Sequence, residues 1–405
     1  MDAAEKIILI VLDGASDRPT YEGKTPFMSA TTTYLDKLAN EGILGIMDVI
    51  APGRPPGSDT AHLSLLGYNP CEIYSGRGPF EAAGVGIDVR PGDIAFRGNF
   101  ATVRDGEVVD RRAGRIRDTH ELAQAIQEKL DLGAEFIFKE SAGHRAALVL
   151  RGENLSQHVT PSDPLHIGKM QVVRPTTDDG ASARTARILN EFTRQVFEIL
   201  KDNPVNIDRE KKGLLPGNIV LLRGAGVVPQ LQSFEDRWGL KAAVIAATAL
   251  VIGIGKLTGM DFIPTDGATG GVDTNLTGKI ANVNKALKNH GFVLLNIKGA
   301  DESGHDGDFE KKAAFLSRID QELSNLEIDE SKLISITADH TTPVSLREHA
   351  GDPVPFLIRG IGVRRDHLHK FDEMTAALGG MNRIRGLDLM PTLIDLIGKG
   401  KKFGA

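Results

Sequence analysis

The 405-residue chain contains one cysteine, Cys71, so an intramolecular disulfide is excluded. A reducing compartment, by default the cytosol, is the expectation. Long apolar runs are missing too. The amino-terminal stretch MDAAEKIILIVLDG ends its Ile/Val/Leu run at Asp13, well short of the roughly 20 residues that span a bilayer, and it lacks a basic flank followed by a small-residue cleavage site. No membrane partner is expected. Nor is there an excess of positive charge: the formal net charge of -6 argues against wrapping nucleic acid and leaves local arginines or metal ions to attract any phosphate-bearing substrate. A glycine-rich fingerprint after the first strand is absent, with Asp13-Gly14-Ala15-Ser16 in its place, which disfavours a dinucleotide-dependent enzyme. Internal repeats and low-complexity tracts are not found. With 41% apolar and 25% charged residues the composition is that of an ordinary globular protein, and the length allows a large core and a second domain.

What the chain does contain is a series of buried-strand signals. Lys6–Leu12 is a continuous Ile/Leu/Val run ended by Asp-Gly, as a parallel strand covered on both faces requires. Asp13 would then stand at its carboxyl end, where open α/β sheets collect ligands. Residues 45–50, 218–222, 242–246, 291–297 and 331–337 read as further strands, with gaps long enough for parallel crossovers. Residues 31–40, 374–378 and 389–397 read as helices, the last closed by Gly398, and the tail KGKKFGA is expected to fray. From about residue 92 to 186 the texture changes to short alternating pieces, such as IAFRGNFATVRDGEVVD and HRAALVLRG, around a helical segment at 121–132. The expected organisation is an α/β catalytic domain formed by residues 1–91 and 187–405. An α+β domain at 92–186 is inserted into it, with hinges near 90–92 and 178–181; a single large domain with a long excursion is the alternative.

Two late clusters carry the chemistry, DESGHDGD at 301–308 and ADHTTPVSLREH at 338–349. Asp301 and His305 stand four apart in a glycine-rich turn and could converge on one ion. Asp339 and His340 are adjacent at a strand's mouth, where they could reach two neighbouring ions. Mixed carboxylate and imidazole donors suit Zn or Mn, whereas Mg prefers oxygen alone. Any one of these residues could equally be a cap or a surface group. Ser58, in PPGSDTAHLSLLG, precedes a helix start, so its local role would be an N-cap. Its alternative role is that of a nucleophile, which a base or a metal must activate. The two roles are compatible, because a helix N-terminus also cradles phosphate. His62, one turn later, could touch that phosphate or hydrogen-bond within the loop.

With these motifs in order, the whole chain resembles the archaeal-type cofactor-independent (2,3-bisphosphoglycerate-independent) phosphoglycerate mutases of the alkaline phosphatase superfamily. The resemblance implies an alkaline-phosphatase-like three-layer α/β sandwich with a mainly parallel sheet and a smaller inserted α+β domain. It implies two divalent metal ions, Mn, Zn or Co, and no 2,3-bisphosphoglycerate. Asp301, His305 and His349 match the ligands of one ion; Asp339, His340, Asp13 and Ser58 match those of the other. Ser58 matches the residue that takes the phosphoryl group from 3-phosphoglycerate and returns it to give 2-phosphoglycerate, a step of glycolysis and gluconeogenesis.

Lys256 resembles the family's active-site lysine. Asp163, with His144, is a candidate acid, base or glycerate-hydroxyl partner. Arg77, Arg111, Arg112, Arg115, Arg145 and Arg223 are candidate forks for the substrate's carboxylate and phosphate. Holding glycerate and excluding water would fall to the inserted domain. The bacterial branch has an Asn-Ser-Glu serine motif and a different insert, so its insert residues do not transfer to this Gly-Ser-Asp chain. A metal-dependent phosphomonoesterase or a phosphopentomutase would share the same core, and an anion-binding regulatory protein is the non-enzymatic alternative. Self-association is left open.

Overall fold

In the computed structural model, which describes residues 4–402 and 404, the run Lys6–Leu12 is central to an eight-stranded sheet. Parallel strands flank it on both sides, Phe292–Ile297 and Lys332–Thr337. Ile7 through Leu12 are all inaccessible to solvent. A strand covered on both faces needs no alternation, which is why the run is unbroken. Across the sheet the order is Asp261–Phe262, Ala242–Ile245, Phe292–Ile297, Lys6–Leu12, Lys332–Thr337, Val354–Arg359, Ile43–Asp48 and Arg383–Arg385. Val354–Arg359 alone among these runs against its neighbours. The three central strands therefore end together, and the residues just beyond them, Asp13, Lys298 and Ala338 to His340, are brought to one edge of the sheet.

This sheet belongs to one of two units, the described residues up to Ile73 together with those from Leu231 onward. The other unit, Tyr74–Gln230, is built on strands paired antiparallel throughout. Its longest strand, Ile94–Arg104, pairs with Arg145–Arg151, Glu107–Asp110 and Ile219–Val227. Helices His120–Lys129 and Gly180–Lys201 supply Leu122, Ile126, Leu189, Phe192 and Val196 to a core shared with Phe96, Phe100, Leu148, Val220 and Leu222.

Two expectations change here. Residues 218–222, read with the parallel strands, pair antiparallel with Ile94–Arg104 in the second unit. The misleading signal has a physical cause: Val220 and Leu222 face the helical core while Ile219 and Leu221 pack with Ala101, Val103 and Val108 on the opposite face. Burial on both sides erases alternation in an antiparallel sheet as it does in a parallel one. The expected boundaries at 91/92 and 186/187 also fall inside the second unit, the latter within Gly180–Lys201. That helix buries Ala186, Leu189, Phe192, Val196 and Leu200 at three- and four-residue intervals, so it cannot be divided there without splitting its core. The expected hinge at 178–181 is its start, where Asp179 caps the helix by accepting from the Ser182 N–H at 2.7 Å. Of the tail expected to fray, Phe403 and Ala405 lie outside the described residues.

Behind the strand ends lies a buried ionic network. Lys312, on helix Phe309–Leu323, donates to Asp17 Oδ2 at 2.8 Å and to the carbonyls of Ser16 and Thr342 at 3.1 and 2.9 Å. Glu373 accepts from the Asp17 N–H at 2.9 Å and from the Thr25 hydroxyl at 2.7 Å. Burial pushes the Glu373 carboxyl up to about 7, against the lowering effect of these donors and of Lys312. A carboxyl whose pKa is higher folded than unfolded takes up a proton on folding. Its contribution to stability is complete below the ordinary glutamate value and is lost as the pH climbs through about 7.

Glu373→Gln keeps an acceptor for Asp17 and cannot ionise. Its stability relative to the parent, measured by urea unfolding, should rise between pH 5 and pH 8 by on the order of 2–3 kcal/mol. Parallel pH profiles for the two proteins would show that Glu373 titrates normally.

Candidate active site

Two groups of side chains at the ends of the central strands place their ligand atoms within 4.8 Å of one another: Asp13, Asp339 and His340, and Asp301, His340 and His349. His340 belongs to both. Its Nε2 lies 3.3 Å from Asp339 Oδ2, 3.7 Å from Asp13 Oδ1 and 3.2 Å from Ser58 Oγ. The Nε2 atoms of His305 and His349 each lie 3.4 Å from Asp301 Oδ1.

Local structure explains the convergence. Asp301 and His305 lie on a short helix, Gly299–Asp306, and not in the expected glycine-rich turn; their spacing of four puts both on one face. Gly14, at φ 64°, turns the chain after Asp13, and a Cβ on it would stand 2.6 Å from the Asp301 Cβ. Glycine therefore permits the two ligand-bearing segments to meet. Gly57 occupies the N-cap of helix Ser58–Leu65 and no side chain caps it. Ser58 is thus the first helical residue, its expected capping role is not taken, and its hydroxyl faces His340.

Each histidine is oriented through its other nitrogen. Nδ1 of His305 lies 2.7 Å from the Arg347 carbonyl, that of His349 lies 2.8 Å from the Pro56 carbonyl, and that of His340 lies 3.0 Å from Thr342 Oγ1. A carbonyl can only accept, so Nδ1 of His305 and of His349 carries a proton and Nε2 is the nitrogen turned toward the carboxylate. Metal-binding histidines are held in this way.

The electrostatics also fit cations. Burial and the nearby Asp13 push the Asp339 carboxyl up to about 7, and its buried Oδ2 has no hydrogen-bond partner among the described residues. Burial works against the Asp301 carboxylate, but Lys298, His349 and His340 outweigh it and hold the group well below the usual carboxylate range. Burial, reinforced by His349, lowers His340 to about 3, so its ring is neutral. The neutral imidazole of His340 and the crowded buried carboxylates suit divalent ions of borderline softness.

In the second unit, Arg77, Arg97 and Arg223 line a cavity of about 340 Å³ whose other walls include Phe96, Leu189 and Leu222. Glu81, buried on helix Gly78–Gly84, lies 2.8 Å from Arg77 and 3.8 Å from Arg97. Burial would raise its pKa, yet Arg77, Arg97 and Arg145 hold it below the ordinary glutamate value. Burial, followed by Arg77, drives Arg97 well below the usual arginine range, and its buried Nε has no hydrogen-bond partner among the described residues. His144 is lowered to about 3 by burial and by Arg145, Arg112 and Arg97. A buried arginine donor left unmet at Arg97 suits an anion.

The family model described as 2,3-bisphosphoglycerate-independent phosphoglycerate mutase matches residues 39–206. A relative of that name from Methanoculleus marisnigri is 52% identical over 409 residues, covering 99% of this chain and 100% of the relative. The chain belongs to the 2,3-bisphosphoglycerate-independent phosphoglycerate mutases. Another family member, from Archaeoglobus fulgidus, is 51% identical, with 98% of this chain and 100% of the relative covered. Among solved structures, a Pyrococcus horikoshii protein matches with a TM-score of 0.87 at 38% identity, covering both chains completely. A cofactor-independent phosphoglycerate mutase from Thermoplasma acidophilum matches with a TM-score of 0.70 at 40% identity, covering 97% of this chain and 100% of the other.

Within this phosphoglycerate mutase the expected site residues divide. Asp13, Ser58, Asp301, His305, Asp339, His340 and His349 come together. His62 comes close but faces no open space: it is inaccessible, with Nδ1 2.7 Å from the Ser58 carbonyl and Nε2 3.2 Å from the Asn296 amide, so it positions the serine turn.

Lys256 is not brought in. It lies exposed in the last turn of Ala249–Leu257, 5.9 Å from the Phe262 ring centre, because Leu250, Val251 and Ile254 take that helix's inner face. Lys298 occupies the site in its stead, donating to Asp13 Oδ1 at 2.8 Å and Asp301 Oδ2 at 2.7 Å. Reading the sequence missed it, although it follows Phe292–Ile297 directly, as Asp13 follows Lys6–Leu12, and these strands pair in register.

In the second unit Arg115 lines a different cavity, of about 680 Å³, with Arg117, Asp208 and Arg209. Arg111 clasps Asp163 bidentately at 2.9 and 2.7 Å, with Arg223 at 3.5 Å. Burial opposes ionisation of Asp163, but Arg111, the Leu165 N–H and Arg223 keep its pKa low, which suits a counter-ion and not an acid. Arg97 is the arginine that reading the sequence overlooked, hidden in the strand-like IAFRGNF.

From these contacts, Lys298→Met should lower kcat at saturating metal by at least about a hundredfold. Lys256→Met should leave it within about twofold. Equal losses in steady-state assays of the two variants would overturn this placement.

Proposed function

We propose that this chain interconverts 3-phosphoglycerate and 2-phosphoglycerate without 2,3-bisphosphoglycerate by passing the phosphoryl group through Ser58. The observation that carries the reading is Ser58 Oγ, 3.2 Å from the Nε2 of His340, which the two ligand groups share. Asp301, His305 and His349 would hold one divalent ion; Asp13, Ser58, Asp339 and His340 would hold the second. Bound there, such ions make a serine hydroxyl acidic and offset charge on phosphoryl oxygens. Manganese, zinc and cobalt all suit this donor set.

The remaining chemistry belongs to the side chains. Ser58, at the positive end of its helix, attacks phosphorus in line with the C3 oxygen of 3-phosphoglycerate. The Oγ–P bond forms as the C3 O–P bond breaks, and the serine proton is balanced by protonation of the departing C3 oxygen. Glycerate then presents its C2 hydroxyl, the Oγ–P bond breaks, and Ser58 regains a proton as 2-phosphoglycerate forms. Lys298 offers an ammonium beside Asp13 and Asp301 for the charge on the transferring group. His340 stays neutral and His62 holds the Ser58 turn.

In the second unit, Arg77, Arg97 and Arg223 line a cavity with forked donors of the kind that grip carboxylates, and Arg111 clasps Asp163. The reaction belongs to glycolysis and gluconeogenesis, and a cytoplasmic setting accords with the single cysteine. No described helix is long and apolar enough to cross a membrane.

The test is to incubate metal-reconstituted protein with 3-phosphoglycerate alone and follow 2-phosphoglycerate and inorganic phosphate together. The parent should accumulate 2-phosphoglycerate, and Ser58→Ala should lose at least about a thousandfold in rate. Phosphate release without 2-phosphoglycerate would make the chain a phosphomonoesterase. Separately, chelator should abolish turnover, and Mn2+, Co2+ or Zn2+ should restore it. Full activity in excess chelator would remove the ions from the mechanism.

A further inference from the structure

We propose that Thr342, held from behind by Lys312, is a positioning residue that couples the two ion sites through one hydroxyl. The proposal rests on the bimetal reading above. Thr342 is inaccessible to solvent, and its Oγ1 donates to Asp301 Oδ1 at 2.9 Å while lying 3.0 Å from His340 Nδ1. A hydroxyl carries one proton. With that proton directed to Asp301, the oxygen must accept from Nδ1–H of His340, and Nε2 is left with its lone pair toward Ser58 and Asp13. One atom thereby fixes the tautomer of His340 and the rotamer of Asp301, which come from different segments of the chain.

Thr342 itself has little freedom. Its N–H donates to the Ser16 carbonyl at 3.1 Å, and its carbonyl accepts from Lys312 Nζ at 2.9 Å. The other Lys312 protons go to Ser16 and Asp17, so the ammonium is fully used and ties the segment after Asp13 to the segment after His340. Helix Gly299–Asp306 rests directly on this point, since a Cβ at Gly304 would stand 2.5 Å from the Thr342 carbonyl oxygen and 2.8 Å from its Cγ2. Displacing Thr342 would move ligands of both ions together.

Thr342→Val removes the hydroxyl and keeps the shape, while Thr342→Ser keeps the hydroxyl. Calorimetric titration of chelator-stripped protein with Mn2+ should show Thr342→Val binding about 10- to 100-fold more weakly, and Thr342→Ser within about threefold of the parent. In turnover, Thr342→Val should lose kcat with little change in KM, because Thr342 reaches the reaction only through the ligands. Parental Mn2+ affinity in Thr342→Val would overturn the proposal while leaving the bimetal reading standing; failure of the parent to bind Mn2+ would overturn both. Nitrogen-15 NMR of the histidines in the parent needs no variant: the Nδ1–H tautomer of His340 is expected, and an Nε2–H tautomer would sink the proposal.

Discussion

Three carboxylates, Asp13, Asp301 and Asp339, are buried together where three adjacent parallel strands end, and this enforced crowding of like charge governs the rest of the centre. Two unit charges about 4 Å apart repel by about 4 kcal/mol at an effective dielectric of 20. Burial adds a desolvation cost to each. The fold meets this with positive groups and donors that the strand register brings in: Lys298 between Asp13 and Asp301, the Gly14 N–H on Asp339 at 2.9 Å, and the Asn296 amide on Asp13 at 3.1 Å. Asp339 Oδ2 is left without a hydrogen bond among the described residues. That remaining deficit of positive charge is what makes the corner a cation site and not merely a polar core.

The same deficit calls for surroundings that hold the ligand-bearing segments in place. A ligand set assembled from residues as distant in sequence as 13, 301 and 339 holds its geometry only if the segments that bear them cannot drift apart. Lys279 is fully buried beneath the site with its ammonium 2.9 Å from the Asn296 carbonyl, and burial lowers it to about 8. Lys312 stitches together the backbones that follow Asp13 and His340. Buried lysines are costly to keep. Their placement directly behind the ligands indicates that the cost is offset by fixing the centre and not by packing alone.

How much of this could be read from the chain follows from which signals are local. The central strands were legible because two-sided burial leaves unbroken apolar runs, and the candidate ligands Asp13, Asp339 and His340 stood out because Asp-Gly and Ala-Asp-His follow such runs directly, whereas Asp301 and His305 lie on the helix after a third. Residues 218–222 gave the same local signal in an antiparallel sheet, so the run reports burial and says nothing of the partner strand. Lys298 and Arg97 were missed for a related reason. Their roles come from pairing register and burial, Lys298 beside Asp13 through the Leu12 and Ile297 pairing, and Arg97 beside Glu81 through the fold of the second unit. Lys256, chosen by motif, is exposed in the last turn of its helix, and a face is settled only when the helix has something to pack against.

What makes this centre a mutase and not a phosphatase cannot lie at Ser58. On the proposed route through Ser58, a phosphoserine flanked by these ligands would serve water and glycerate equally as acceptors, so discrimination would fall to groups that keep glycerate bound between the two transfers. In the second unit Glu81 is shared among Arg77, Arg97 and Arg145, and Asp163 is clasped by Arg111. A monophosphoester hydrolase has to release its alcohol and gains nothing from holding it. An enzyme that must retain a carboxylate-bearing alcohol while the phosphoryl group waits on serine needs an anion site that stays charged after phosphate has left. The carboxylate is the one charge that 3-phosphoglycerate, glycerate and 2-phosphoglycerate all carry, and binding it holds the intermediate without opposing the turn that exchanges C3 for C2.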